Sequence, residues 1–271
     1  MKRFLLLGEN VESSKSRALH ANAYAQLGAD ATYEARSVVA SELPGYVAEL
    51  RAGAWAGFNV TAPFKFAASE LCDREEGPVV NTLWRASDGA VCGANTDVAG
   101  IAGMLNKCVF SASSLGAKAY VLGAGATALS SVEALRAAGF VRVVVVARDV
   151  ARAEVAVDRI GGCAVVAWGA CFDVGAAVVV QASSALGDEP LGALLWEAQD
   201  SKPVVVDVRY GGAATLLAES LLGRGYVAHT GERMLAVQAA ESVRLWFGRE
   251  VDVECMGLAA FGEAWPKVRS A

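Results

Sequence analysis

Strand-sized and helix-sized stretches alternate along the first hundred residues. Residues 4–8, 32–36 and 56–60 read as strands, and 16–27, closed by Gly28, and 41–51 read as helices, with another helix opening after Thr61. Residues 79–83 and 90–92 read as two strands joined through Ser87-Asp88-Gly89, because Asp-Gly supplies the backbone freedom a tight turn needs. A helix over 98–105 follows. From Ala119 the alternation is cleaner: a strand 119–122, a helix reaching Ala138 and ended by Gly139, and a valine-rich strand 141–146 of the kind buried on both faces. Strands at 164–167, 176–181 and 204–208 and closing helices to about Phe247 and over 251–265 complete the pattern. Such alternation predicts an α/β protein with mostly parallel sheets and helices packed on them.

Composition narrows the class. The 271 residues suffice for one large or two ordinary domains, and 54% of them are hydrophobic. Apolar runs such as 143–147 and 176–180 are strand-sized, and none approaches the ~18–20 residues of a membrane span. Lys2 and Arg3 precede a leucine run shorter than a secretion signal requires, so a first core strand is the reading there. A net charge of −5 with dispersed basic residues predicts neither a nucleic-acid nor a membrane partner. The six cysteines (72, 92, 108, 163, 171, 255) form no Cys-x-x-Cys pair, which predicts reduced, buried thiols in a cytoplasmic protein and no metal site.

Several polar groups interrupt this apolar background. Ser14 and Ser16, between the first strand and helix, either cap that helix or gather an anion at its N-terminus. His20 on the helix reads as packing. Thr61 can cap the helix that Pro63 enters, Lys65 lies one turn on, and Asp97 either caps the helix at 98 or partners the lysine. Gly123-Ala124-Gly125-Ala126-Thr127-Ala128 has the Gly-x-Gly-x-x-Ala spacing of a dinucleotide loop, after a strand and opening a helix. Gly123 permits the turn, Gly125 lets the backbone approach a pyrophosphate, and Ala128 allows close helix–strand packing. At the end of the next strand, Arg148 and Arg152 stand one helical turn apart, a spacing that suits a 2′-phosphate. Asp149 between them either repels such a phosphate or caps the next helix. NADP is therefore expected, with NAD possible.

The order of these elements carries a resemblance. Ser14-x-Ser16-x-x-x-His20, Asn59-Val60-Thr61-x-Pro63-x-Lys65, Val80-Asn81-Thr82 and Asn95-Thr96-Asp97 together resemble the shikimate dehydrogenase (shikimate/quinate dehydrogenase) family. Asp207-Val208-Arg209-Tyr210 and Gly231-x-x-Met234-Leu235-x-x-Gln238 are similar to two later family segments, and Gln181-Ala182-Ser183-Ser184 is a looser match. The resemblance implies a two-domain α/β architecture: a substrate domain over 1–97 plus 234–271, and a Rossmann-type NADP domain over 98–233, separated by a cleft. It implies Lys65 and Asp97 as the catalytic pair. Ser14, Ser16, Thr61, Asn81, Tyr210 and Gln238 would bind substrate. Gly123, Ala124, Gly125, Ala126, Thr127, Arg148, Arg152, Val208 and Gly231 would bind cofactor. The implied reaction is NADPH-linked, reversible reduction of 3-dehydroshikimate to shikimate in chorismate and aromatic amino-acid biosynthesis, by a monomer or homodimer whose partners are small molecules. Departures from the family pattern are Ser13 and Arg17 around the serines, Ala21 after His20, Ala147 and Asp149 around the arginines, Gly211-Gly212 after Tyr210, and Arg233. They keep two alternatives open: a quinate or aminoshikimate-type dehydrogenase, and a non-catalytic metabolite-binding paralogue.

Overall fold

In the computed structural model, which describes residues 1–108, 110, 112–169, 176–183 and 202–266, the chain divides into two compact units, Met1–Gly100 with Leu235–Ala271, and Ile101–Met234. The first unit runs β1 (Lys2–Gly8), α1 (Ser16–Leu27), β2 (Ala31–Ser37), α2 (Leu43–Arg51), β3 (Gly57–Val60), α3 (Lys65–Glu70), β4 (Arg74–Glu75), β5 (Thr82–Arg85), β6 (Val91–Ala94) and α4 (Thr96–Leu105). The second follows with α5 (Ala112–Gly116), β7 (Lys118–Leu122), α6 (Ala126–Ala137), β8 (Arg142–Ala147), α7 (Val150–Asp158), β9 (Ala164–Ala167), β10 (Val178–Gln181), β11 (Val204–Asp207), α8 (Gly212–Gly223) and β12 (Ala228–His229). Helices α9 (Glu232–Phe247) and α10 (Val253–Phe261) return the chain to the first unit.

The first sheet has the order β2-β1-β3-β5-β6-β4. Strand β1 pairs parallel with β2 and β3, while β5 runs antiparallel to both β3 and β6, joined to β6 by the turn at Gly89. Side chains of a strand alternate between faces. Accordingly Leu5 and Leu7 of β1 join Phe58, Leu83 and the α2 residues Leu43, Val47 and Leu50 in one buried cluster. Phe4 joins Leu19, Tyr24, Val243, Met256 and Trp265 in the other. The last helices thus complete the core against β1 and α1.

The second sheet, β12-β11-β10-β7-β8-β9, is parallel throughout. From β7 the chain moves outward to β8 and β9 on one side, then crosses to β10 and β11 on the other. The carboxyl end of β7 is therefore the topological switch point, where open α/β sheets receive their ligands.

Most of the predicted elements are present with shifted ends. Helix α1 has the expected bounds, and Gly28 closes it at φ 60°. Helix α3 starts at Lys65 rather than just after Thr61, because a residue before proline is disfavoured in helical geometry; residues 61–64 form a turn closed by the Phe64 N–H on the Thr61 carbonyl at 3.0 Å. Strand β5 starts at Thr82, not at residue 79, since the Val80 N–H bonds the Lys65 carbonyl instead of a strand. Helix α4 starts at Thr96, which puts Asp97 inside its first turn and not at its cap. The first sheet is more mixed than the expected mostly parallel one.

The described cysteines (72, 92, 108, 163, 255) are all free, but none is fully buried and Cys255 is exposed, so the expectation of buried thiols holds only in part; Cys171 lies outside the described residues. Burial pushes the Cys72 and Cys108 thiols up to about 12. Among the described residues no helix is long and apolar enough to cross a membrane, and no group of three His, Cys, Asp or Glu residues could hold a metal ion.

Candidate active site

Four segments of the first unit bring the predicted side chains together. Lys65 opens α3, Asn81 sits between the main chains of β3 and β6, Asp97 lies in the first turn of α4, and Gln238 lies on α9. Asn81 is held on both sides: the Val60 N–H bonds its carbonyl at 2.8 Å, and its own N–H bonds the Ala94 carbonyl at 3.1 Å. All four side chains are buried, Lys65 at 6% exposure and Asp97 at 4%. The Lys65 ammonium makes a short ion pair with Asp97 Oδ2, and Asn81 Nδ2 donates to Asp97 Oδ1 at 2.8 Å. Asp97 also lies in the first turn of α4, where a helix N-terminus carries partial positive charge.

Energetics distinguish this pair from an ordinary surface one. An exposed ion pair contributes under about 1 kcal/mol, whereas burying an ammonium and a carboxylate costs several kcal/mol each before their attraction is counted. Removing one partner of such a pair leaves a buried charge uncompensated, at a cost of about 3–5 kcal/mol. A fold under selection for stability alone has cheaper ways to fill this space.

Ser14 and Ser16 precede and open α1. The Ser14 hydroxyl donates to Ser16 Oγ at 3.1 Å and accepts the Ser16 N–H at 3.2 Å, and neither serine caps α1, whose N-cap is Lys15. Arg17 is exposed and clasps the Glu12 carbonyl at 2.5 Å, bracing the loop from outside. Gly8 ties this loop to Thr61: a side chain there would strike Val11 at 2.6 Å and the Thr61 methyl closer still. Thr61 is half-buried and caps no helix. His20 is fully buried and stacks on Tyr33 with ring centroids 4.0 Å apart, as packing predicts. Burial holds it neutral, down to about 3, and the nearby Asn59 side chain only partly opposes this.

The second unit holds the other predicted residues. Gly123 follows β7 at φ 109°, and a Cβ there would press on Ser183 at 3.0 Å, so glycine is required. Gly125 is the N-cap of α6, and a Cβ on it would meet nothing within 4 Å, which leaves room for another group against the helix N-terminus. Ala124, Ala126 and Thr127 complete this turn, and Ala128 is buried against the strand. Arg148 and Arg152 flank the start of α7, with no ion-pair partner among the described residues. Asp149 between them caps that helix, accepting the Arg152 N–H at 3.0 Å. Its carboxylate is thereby turned to the backbone. A glycine turn at the switch point, an open helix N-terminus and these two arginines fit a dinucleotide carrying an extra phosphate.

Val208 and Gly231 lie side by side. The Val208 carbonyl sits where a Gly231 Cβ would be, and the Gly231 N–H bonds the Arg209 carbonyl at 2.7 Å. Tyr210 stands on this loop at 38% exposure, and Ser184 lies outside the described residues. Sequence reasoning missed the bidentate Arg209–Asp207 pair that braces the loop, with contacts at 3.0 and 2.7 Å. It also missed the buried hydroxyls of Thr82, Thr96 and Ser242, although Ser242 follows Gln238 by one helical turn on the same helix.

Comparisons with known proteins place the chain in a family. Residues 6–81 match the family model for the shikimate dehydrogenase substrate binding domain, and 231–256 match the shikimate 5′-dehydrogenase C-terminal domain. The shikimate dehydrogenase (NADP(+)) of Mesorhizobium japonicum is 34% identical over 91% of both chains, and that of Xylella fastidiosa (strain M12) is 33% identical over 94% of both. Among solved structures, shikimate 5-dehydrogenase from Thermus thermophilus in complex with NADP(H) and shikimate superposes with a TM-score of 0.82 at 32% identity, over 96% of this chain and 98% of that one. Mycobacterium tuberculosis shikimate dehydrogenase does so with a TM-score of 0.80 at 32% identity, over 96% and 99%. With its fold, its motifs and its full-length relatives in agreement, the chain belongs to the shikimate dehydrogenase family.

Proposed function

We propose that this protein is a cytoplasmic NADP-dependent shikimate dehydrogenase, reducing 3-dehydroshikimate reversibly to shikimate on the way to chorismate and the aromatic amino acids. The buried Lys65–Asp97 pair with Asn81 and Gln238 beside it carries the reading. Residues 1–97 with 234–271 form the substrate domain and 98–233 the NADP domain. NADPH, when bound, supplies the hydride. Gly123, Ala124, Gly125, Ala126 and Thr127 would hold its pyrophosphate, Arg148 and Arg152 its 2′-phosphate, and Val208 and Gly231 its nicotinamide end.

The chain's own residues do the rest. Hydride arrival at a carbonyl carbon leaves negative charge on the oxygen, and one proton must be delivered there. Lys65 is the donor: its ammonium stabilises the growing charge and passes the proton to oxygen. In the reverse direction it takes the proton of the hydroxyl. Asp97 aims the ammonium by accepting it on one oxygen while Asn81 occupies the other. Asn81, Thr61 and Gln238 hold substrate hydroxyls, and Ser14, Ser16 and Tyr210 hold its carboxylate. The Ser14–Ser16 hydrogen bond keeps both hydroxyls within reach of a single anion.

The test is absorbance of the reduced nicotinamide with shikimate or quinate, each against NADP and NAD. Highest kcat/KM for shikimate with NADP is expected. A preference for quinate or NAD would move the protein to the neighbouring specificity. Silence in all four with folded protein would overturn the reading.

A further inference from the structure

The proposed chemistry leaves a set of buried hydroxyls without a task. Thr82, Thr96 and Ser242 lie within 2.9–3.4 Å of one another, fully or almost fully out of solvent. Three oxygens from β5, α4 and α9 are costly to bury unless each is hydrogen-bonded. Their partners form a directed chain.

The direction is fixed at Asn81. Its Oδ1 receives the Thr96 main-chain N–H at 2.8 Å, the Thr96 hydroxyl at 3.0 Å and the Thr82 hydroxyl at 3.1 Å. A main-chain N–H can only donate, so the atom facing it must be the amide oxygen. Flipping the amide would set N–H against N–H on one side and oxygen against the Asp97 carboxylate on the other. The Asn81 nitrogen is thereby turned to Asp97 Oδ1, leaving Oδ2 for Lys65. A second amide is fixed in the same way. The Asn81 main-chain carbonyl, which can only accept, faces the Asn59 nitrogen at 3.2 Å. That nitrogen therefore also reaches Thr82 Oγ1 at 2.9 Å and Ser242 Oγ at 3.0 Å, and the Tyr33 hydroxyl donates to Asn59 Oδ1 at 2.8 Å. The Ser242 hydroxyl itself donates to the Gln238 main-chain carbonyl at 2.9 Å. Thr96 is where this chain meets the ion pair: it is bonded to Asn81 through two of its atoms and is the chain neighbour of Asp97.

We propose that Thr96 is a positioning residue for the Lys65–Asp97 pair, acting through the side-chain amide of Asn81. This rests on the reading that the pair performs the proton transfer. Without the Thr96 hydroxyl, Asn81 Oδ1 keeps two of its three donors, and Thr82 and Ser242 face a methyl group. The amide then has freedom to rock, and Asp97 with it. A displacement well under an ångström at a reacting pair costs about tenfold in rate.

Thr96→Val and Thr96→Ser, made in the full chain, test this. In Thr96→Val kcat should fall about tenfold, with KM for NADP unchanged within about twofold, and Thr96→Ser should recover most of the loss. A second readout needs no turnover: the ¹⁵N signal of the Lys65 ammonium, sharp while its protons are held by the carboxylate, should broaden in Thr96→Val and return in Thr96→Ser. If Thr96→Val does not fold, Ser242→Ala should broaden the same signal to a lesser degree. An unchanged Lys65 signal in the folded variants overturns the proposal, as does a loss confined to melting temperature with kcat per active site intact. Wild-type protein inert toward shikimate and quinate, with the Lys65 signal still responding at Thr96, would sink the reaction assignment and leave the positioning role standing.

Discussion

The two units solve opposite problems with similar materials. In the first, the sheet mixes parallel and antiparallel strands and buries Asn59, Lys65, Asn81, Thr82, Thr96, Asp97, Gln238 and Ser242. These side chains satisfy one another across β3, β5, α3, α4 and α9, so what this unit presents is side-chain functional groups. In the second, the sheet is wholly parallel, and the buried Ser130 and Ser131 bond carbonyls one turn back in α6. What that unit offers a ligand around the switch point is mostly backbone, a glycine turn, an open helix start and a glycine pressed on the Val208 carbonyl, with Arg148 and Arg152 as its side-chain contribution. Side-chain sites are fragile to loss of a group, backbone sites to gain of an atom.

The largest way to break that contrast is Lys65→Ala. Turnover should drop by about 10³-fold, comparable to loss of a principal oxyanion stabiliser, while NADP affinity measured by fluorescence titration stays within about twofold. Equal loss of both would mean that the substitution damages the fold. Next in size, replacing both Arg148 and Arg152 by alanine removes charge-assisted contacts in the second unit only. KM for NADP should rise about 10–100-fold with KM for NAD nearly unchanged, and a matching rise for NAD would show that the arginines do not read the 2′-phosphate.

The smallest effect uses the two histidines, one in each unit. His20 stays neutral down to about 3, whereas the unfolded chain protonates it near its ordinary 6.5. Between those values unfolding takes up a proton, so stability falls as pH falls, by ~1.4 kcal/mol per pH unit. Urea unfolding at pH 7 and pH 5 should therefore differ by about 2 kcal/mol more in the wild type than in His20→Phe. Half-buried His229 is also pushed down by burial, but its substitution should flatten the pH dependence less. Equal slopes for wild type and His20→Phe would show that His20 titrates normally.

The contrast also explains what was legible in the chain. Glycines needed by a turn announce themselves, so the loop after β7 and the end of α1 could be read directly. Lys65 and Asp97 could be read because a motif keeps them at fixed distances from Thr61 and Thr96. The hydroxyl chain could not, because Thr82 and Ser242 are 160 positions apart and either is an ordinary strand or helix residue on its own. Strand β4, two exposed polar residues paired with β6, has no apolar pattern to betray it. The late start of β5 depends on Val80 bonding a helix carbonyl, a long-range choice that local propensity does not contain.

The interrupted course of the first unit has a consequence for the order in which a ribosome delivers it. Domains generally fold as units while the chain emerges, N-terminal segments first. Here the second unit, residues 101–234, is complete before the helices that pack on Phe4 and Tyr24 have left the tunnel. The first segment made is the last to be finished. Lys65 and Asp97 wait through the whole of the second unit, residues 101–234, for Gln238 and Ser242. A nascent chain stalled before α9 would hold a finished nucleotide-type sheet and an open core, with the buried charges still in water.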